Sequence, residues 1–80
     1  MTEDEVALAM MQRIEATRGR RIEAWTPLIE AQIFDSMGFI EWVAWVETCW
    51  GVSFEADEIE KAFASIATTA AAVIAKKRHP

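Results

Sequence analysis

The stretch from Phe34 to Gly51 constrains the fold most. Phe39, Trp42, Val43, Val46, Cys49 and Trp50 recur at three- and four-residue intervals. At about 100° per residue they share one helical face, and no alternating strand pattern of useful length competes with them. Asp35-Ser36 interrupts the apolar approach and opens the helix, since side-chain oxygens of this kind accept the free N–H groups of a first turn. Gly51 closes it as a left-handed cap. The predicted helix runs from about Ser36 to Trp50, with the Ser36 hydroxyl exposed at its start. Its other side carries Met37, Ile40, Glu41, Ala44, Glu47 and Thr48, and Trp45 lies at the edge between the two sides.

A helix this apolar needs partners, and 80 residues allow one small domain, spanning 1–80, to supply them. Four Trp, four Phe and four Met provide large side chains for a small core. One cysteine excludes an intrachain disulfide, which fits a reducing setting. Met1-Thr2-Glu3-Asp4-Glu5 lacks the basic start and apolar core of a secretory signal, so a cytoplasmic, soluble protein is expected. The apolar run from Ala62 to Ala75 is too short and too polar for a spanning helix. Net charge is −5, and its distribution is uneven: residues 22–60 carry nine carboxylates and no basic side chain. Such a surface repels nucleic acid and anionic lipid and steers toward basic protein patches.

Around this helix the remaining pattern is also helical. Thr2-x-x-Glu5 reads as a capping box, Val6, Met10 and Ile14 as a buried stripe, and Gly19 as the end of a first helix. Arg18, Arg20 and Arg21 suit the negative end of that helix. Ile22 to Phe34 is a long connection in which Pro27 sets a turn and Trp25, Leu28, Ile29, Ile33 and Phe34 are expected to tack the loop onto the bundle. After an extended Val52-Ser53-Phe54, a short helix is expected over about Ala56–Phe63, with Ile59 and Phe63 inward. Ser65 can cap a fourth helix with the stripe Ile66, Ala70, Val73 and Ile74, closed by Lys76, Lys77 and Arg78. His79 and Pro80 form a tail. The expected architecture is all-α: a small four-helix bundle of three longer helices and one short one, with a long first loop. Its core should contain Val6, Met10, Ile14, Trp42, Val46, Trp50, Phe54, Ile59, Phe63, Ile66 and Val73. Cys49 is expected to be a buried small hydrophobe.

Asp35-Ser36-Met37, followed by Ile40-Glu41 and an apolar helix ending Trp50-Gly51-Val52, resembles the attachment segment of acyl carrier proteins. The longer run Phe34-Asp35-Ser36-Met37-Gly38 is most similar to discrete D-alanyl and other aminoacyl carriers. The resemblance covers about Val6 to Ile74, and Phe54-Glu55 and Ser65-Ile66-Ala67 fit it. It implies that Ser36 carries a covalent 4'-phosphopantetheine drawn from coenzyme A, and that Asp35 helps the modifying transferase place its metal-bound coenzyme A. The implied partners are a phosphopantetheinyl transferase, an adenylating amino-acid or acyl ligase, and a downstream accepting enzyme. The chain would be a monomer without catalytic residues of its own. Fatty-acid carriers often have an acidic residue where Gly38 stands, so an aminoacyl cargo fits better than a fatty one. Gly38 would let a partner or the arm pass close to the backbone.

Read without the resemblance, Ser36 is an ordinary N-cap serine whose loss costs about 1 kcal/mol or less through the lost cap. Met37, Ile40 and Ala44 are then scattered surface apolars; with it they form a docking stripe flanked by Glu41 and Glu47, while Gly38 gives close approach. Trp45 is the one tryptophan expected to reach a partner. One Cys, one His and three Gly offer no metal-ligand spacing, no nucleophile–base pair and no phosphate loop, so intrinsic catalysis is not expected. The alternative from another class is an unmodified acidic helical adaptor or inhibitor that binds a basic partner through the same face.

Overall fold

Thr2 and Glu5 set the first helix by mutual capping. The Thr2 N–H donates to Glu5 Oε1 at 2.9 Å and the Glu5 N–H to Thr2 Oγ1 at 3.2 Å. The computed structural model describes residues 1–78, and His79 and Pro80 lie outside the described residues. Its order is α1 (Glu3–Arg18), α2 (Ser36–Trp50), α3 (Ala56–Ala62) and α4 (Ile66–Arg78), with no strand among the described residues. It is the small four-helix bundle that the pattern predicts. No helix among the described residues is long and apolar enough to cross a membrane.

The helix ends follow local chemistry. Gly19 and Gly51 take left-handed φ values of 66° and 65°, where a side chain would be strained, and their N–H groups return to Glu15 O and Glu47 O. α3 starts as expected and ends one residue early, with Phe63 as its C-cap. At α4, Ser65 N–H donates to Thr68 Oγ1 and Thr68 N–H to Ser65 Oγ, a reciprocal cap around a buried serine. Buried Thr69 is satisfied by Ser65 O and Ala62 O.

One core holds Val6, Met10 and Ile14 of α1, Trp42, Val43 and Val46 of α2, Phe54, Phe63, and Ile66, Ala70, Val73 and Ile74 of α4. The closest helix approaches are α1 with α4 and α3 with α4. α2 stands farther off and reaches the core with Trp42, Val43, Val46 and Phe39. Phe39 meets Phe63 edge-on at 6.0 Å, and Phe63 meets Phe54 at 5.0 Å. Phe34 stacks on Trp42 at 5.4 Å, Trp42 on Trp45 at 5.2 Å, and Trp45 meets Trp50 edge-on at 5.4 Å. The Trp42 Nε1 is buried beside these rings with no protein acceptor.

Several expected positions differ. Trp50 and Ile59 pack against the core but are only partly buried: Trp50 ends α2, and Ile59 sits on the short α3, of which no residue is fully buried. Phe39 is likewise half-buried. Cys49 is exposed: it falls at the margin of the α2 stripe, in a last turn where nothing covers that margin. The first loop is pinned by buried Ile22, Leu28 and Ile33 and by two backbone bonds, Leu28 N–H to Ala64 O at 3.0 Å and Ala67 N–H to Ala24 O at 2.8 Å. Trp25 (73% exposed) and Ile29 (58%) do not join that anchor.

Basic residues near helix ends do more than answer dipoles. Lys76 pairs with Glu58 at 2.8 Å and lies 4.9 Å over the Phe54 ring, tying α4 to α3. The Lys76 ammonium, and after it the Glu55 N–H, hold the Glu58 carboxyl below its ordinary value of 4.5. The Thr2 backbone bond does the same for Glu5.

Two outcomes follow from this packing. Phe63→Ala, at a fully buried ring, should cost on the order of 3–5 kcal/mol in urea unfolding, and Trp50→Ala clearly less; equal losses would contradict the ring assignment. A depressed carboxylate pKa gives stability that is complete above about pH 4.5 and is lost as pH falls through the folded-state pKa. The Tm of Glu58→Gln should therefore fall less steeply than the wild type's on acidification below that point, and parallel pH curves would show the pair to be inert.

Candidate functional site at the start of the second helix

Ring packing fixes the approach to α2. Ile33 is buried and Phe34 is stacked on Trp42, so the backbone enters Asp35 from an anchored residue. Asp35 is extended, with φ −81° and ψ −179°, and is the N-cap. Its Oδ1 accepts the Gly38 N–H at 2.6 Å, and its carbonyl accepts the Phe39 N–H at 2.9 Å. Ser36 is thus the first helical residue and not the cap. Its side chain is exposed, and it sits at the positive pole of a 15-residue helix, where an attached anion is favoured. The cap's contribution to stability belongs to Asp35.

The surface beside Ser36 is apolar. Met37 (68%) and Ile40 (65%) are exposed, Ala44 is exposed between them and the end of the helix, and Ile29 of the first loop adds another apolar group. A cavity of about 320 Å³ opens at Ser36, lined by Leu28, Ile29, Phe34, Asp35 and Phe39. A second, of about 240 Å³, lies between α2 and α3 against Phe39, Ile40, Val43, Ala44, Glu47 and Ile59. Phe39 forms a wall of both, so an apolar track leads from the hydroxyl along α2 toward α3. Its walls offer a flexible chain hydrophobic contact and no basic group.

The expected docking residues divide. Met37, Ile40, Ala44 and Glu41 face solvent together. Glu47 does not serve as a free rim charge: it is half-buried, and its Oε2 accepts the Phe54 N–H at 2.9 Å, bracing the extended segment after Gly51. Gly38 is buried, and the space above it belongs to Arg18. A Cβ there would run into Arg18 Nη2 and stand 3.1 Å from Cζ. In this arrangement the approach to Gly38 is occupied by the Arg18 guanidinium. The Trp45 ring is covered by Trp42 and by the Arg13 guanidinium 5.3 Å from its centroid, so the exposed tryptophan is Trp25 instead.

Sequence reasoning missed Arg18, Phe34 and Ile29 as neighbours of the site. Arg18 Cζ lies 5.1 Å from the Phe34 ring centroid. With Arg13, Thr17, Glu41, Trp42 and Trp45, these two residues and Gly38 line a cleft of about 290 Å³ on the opposite side of α2 from the Ser36 track. The aromatic residue before Asp35 and the glycine after Met37 were the available signals, but the helix that meets them is set by tertiary packing.

Comparison with protein-family models, with curated proteins and with solved structures finds no match to this chain. The capping geometry gives a direct test of the local description. Asp35→Ala should cost about 1 kcal/mol, and Ser36→Ala should stay within about 0.5 kcal/mol of wild type, as an exposed residue without a capping bond; the reverse order in chemical denaturation would return the cap to Ser36.

Proposed function

We propose that this chain is a discrete phosphopantetheine-dependent carrier protein, with the arm on Ser36 and an aminoacyl or acyl cargo held on the arm's thiol as a thioester. The observation that carries the reading is the exposed Ser36 hydroxyl at the first turn of α2, directly after a capping aspartate and beside an apolar track. The resemblance of Phe34-Asp35-Ser36-Met37-Gly38 to aminoacyl carriers supplies the chemistry and favours an aminoacyl cargo. Attachment forms a bond from Ser36 Oγ to the pantetheine-side phosphorus of coenzyme A and breaks the pyrophosphate P–O bond. The hydroxyl proton passes to the transferase or to solvent, and adenosine 3',5'-bisphosphate leaves.

In this reading the carrier makes and breaks no bonds of the cargo. It raises the effective concentration of a tethered thioester before enzymes that act in turn. The proposed partners are a phosphopantetheinyl transferase, an adenylating ligase that loads the thiol, and an accepting enzyme, in a cytoplasmic setting. Met37, Ile40 and Ala44 offer the apolar contact, and Glu41 supplies charge for orientation and association rate. The exposed stripe also suits an unmodified adaptor for a basic partner, and the same experiment separates the two.

Incubation with coenzyme A and a broad-specificity transferase should add roughly 340 Da to the intact mass, and Ser36→Ala should remain folded and unmodified. Persistent absence of an adduct on the wild type would favour the adaptor. In the modified protein, Glu41→Lys should slow loading by the ligase and weaken its salt dependence through the association rate; unchanged kinetics at low salt would make this carboxylate a solvated surface group.

A further inference from the structure

Arg18 is the last residue of α1, yet its guanidinium belongs to the first turn of α2. It is held between the Phe34 ring, 5.1 Å from Cζ, and the backbone of Gly38. Gly38 supplies the N–H of the Asp35 cap, and a Cβ on it would also stand 2.9 Å from Asp35 Oδ1. Arg18 thus touches the two residues that flank the Asp35-Ser36 pair, Phe34 before it and, across Met37, Gly38 after it.

Two costs show that this contact is not a by-product of helix formation. Gly38 has no positive φ, so no backbone requirement selects glycine there. A mid-turn glycine costs about 1 kcal/mol against Ala. The cost is explained by space, because a methyl group would fill the guanidinium's seat. A cation beside the N-terminus of α2 is also of the wrong sign for that helix's dipole. The Phe34 ring face offsets it.

We infer that Arg18 is a positioning residue for the modification of Ser36. Packed over Gly38 and the Phe34 ring, it holds the first turn of α2 in a single arrangement, so the hydroxyl meets the transferase in one orientation. Oδ1 is committed to Gly38, which leaves the other carboxylate oxygen for the incoming group. Displacing the guanidinium frees the turn to fray. The inference rests on the carrier reading, and it adds a residue that touches neither the arm nor the reacting atoms.

The test compares Arg18→Gln, Gly38→Ala and the double variant, each with coenzyme A and a broad-specificity phosphopantetheinyl transferase. Each single change should lower kcat for modification by about tenfold, with KM for the carrier within about twofold. The double variant should be no worse than the poorer single, because both break one seat. Gly38→Ala should lower the Tm more in the wild-type background than in the Arg18→Gln background. Unchanged kcat in both singles, or losses that multiply, would overturn the inference while the carrier reading stands. No modification of the wild type would overturn both. If Gly38→Ala does not fold, Arg18→Gln decides alone: a loss in kcat at unchanged KM supports positioning, and a rise in KM at unchanged kcat makes Arg18 a docking contact instead.

Discussion

Rings, more than backbone proximity, hold α2 to the rest of the protein. α4 approaches α1 and α3 closely, whereas α2 meets the other helices through its side chains. Phe39 of α2 meets Phe63 edge-on, and Phe63 meets Phe54, while the Phe34, Trp42, Trp45 and Trp50 rings pack along α2 and its approach and meet α1 through Arg13 over Trp45 and Arg18 over Phe34. Each such ring brings a large apolar area and a preferred geometry. In a domain of 80 residues, where apolar volume is scarce, this fixes the rotation of α2 about its own axis. That rotation decides which residues face water.

Ser36 inherits its exposure from this arrangement. The stack that buries Trp42 also anchors Phe34, and Phe34 delivers the chain to Asp35 in the extended geometry of a cap. The first helical position then points outward, with Met37 and Ile40 near it and Ile29 across the cavity. Cap, dipole and apolar track all suit a serine that bears a phosphodiester and a long flexible group. The acidic central stretch adds a field that favours basic partner surfaces. The proposed carrier role thus draws on a hydroxyl placed by packing and on a motif read from the residues around it.

Features set by neighbours in sequence were legible in it. The Thr2–Glu5 box, the two glycine caps, the Ser65 cap and the apolar stripes of α1 and α4 all depend on residues within one or two turns. Features set by distant residues were not. Cys49 and Trp50 lie on an apolar stripe whose last turn receives little cover. Glu47 looks like a rim charge until Phe54, seven residues on, presents an N–H to it. Trp25 and Ile29 look like anchors, but Leu28 and Ile33 take that role and leave them outside. Gly38 reads as room for a visitor, whereas the room is filled by an arginine twenty positions earlier. Helical periodicity alone does not show which element will cover a given margin, and each of these differences turns on that point.

The central claim, that Ser36 is the attachment point of a covalent arm, is tested most directly on protein purified from cells that contain its own modifying enzyme. Trypsin releases residues 22–61 as one peptide, since no Lys or Arg interrupts them, and that peptide contains Ser36 and Ser53 but not Ser65. Fragmentation mass spectrometry of this peptide should place an addition of roughly 340 Da on Ser36, with the pantetheine group ejected as a diagnostic ion. An addition at Ser53 or elsewhere, or an unmodified Ser36 in protein exposed to an active transferase, would contradict the account.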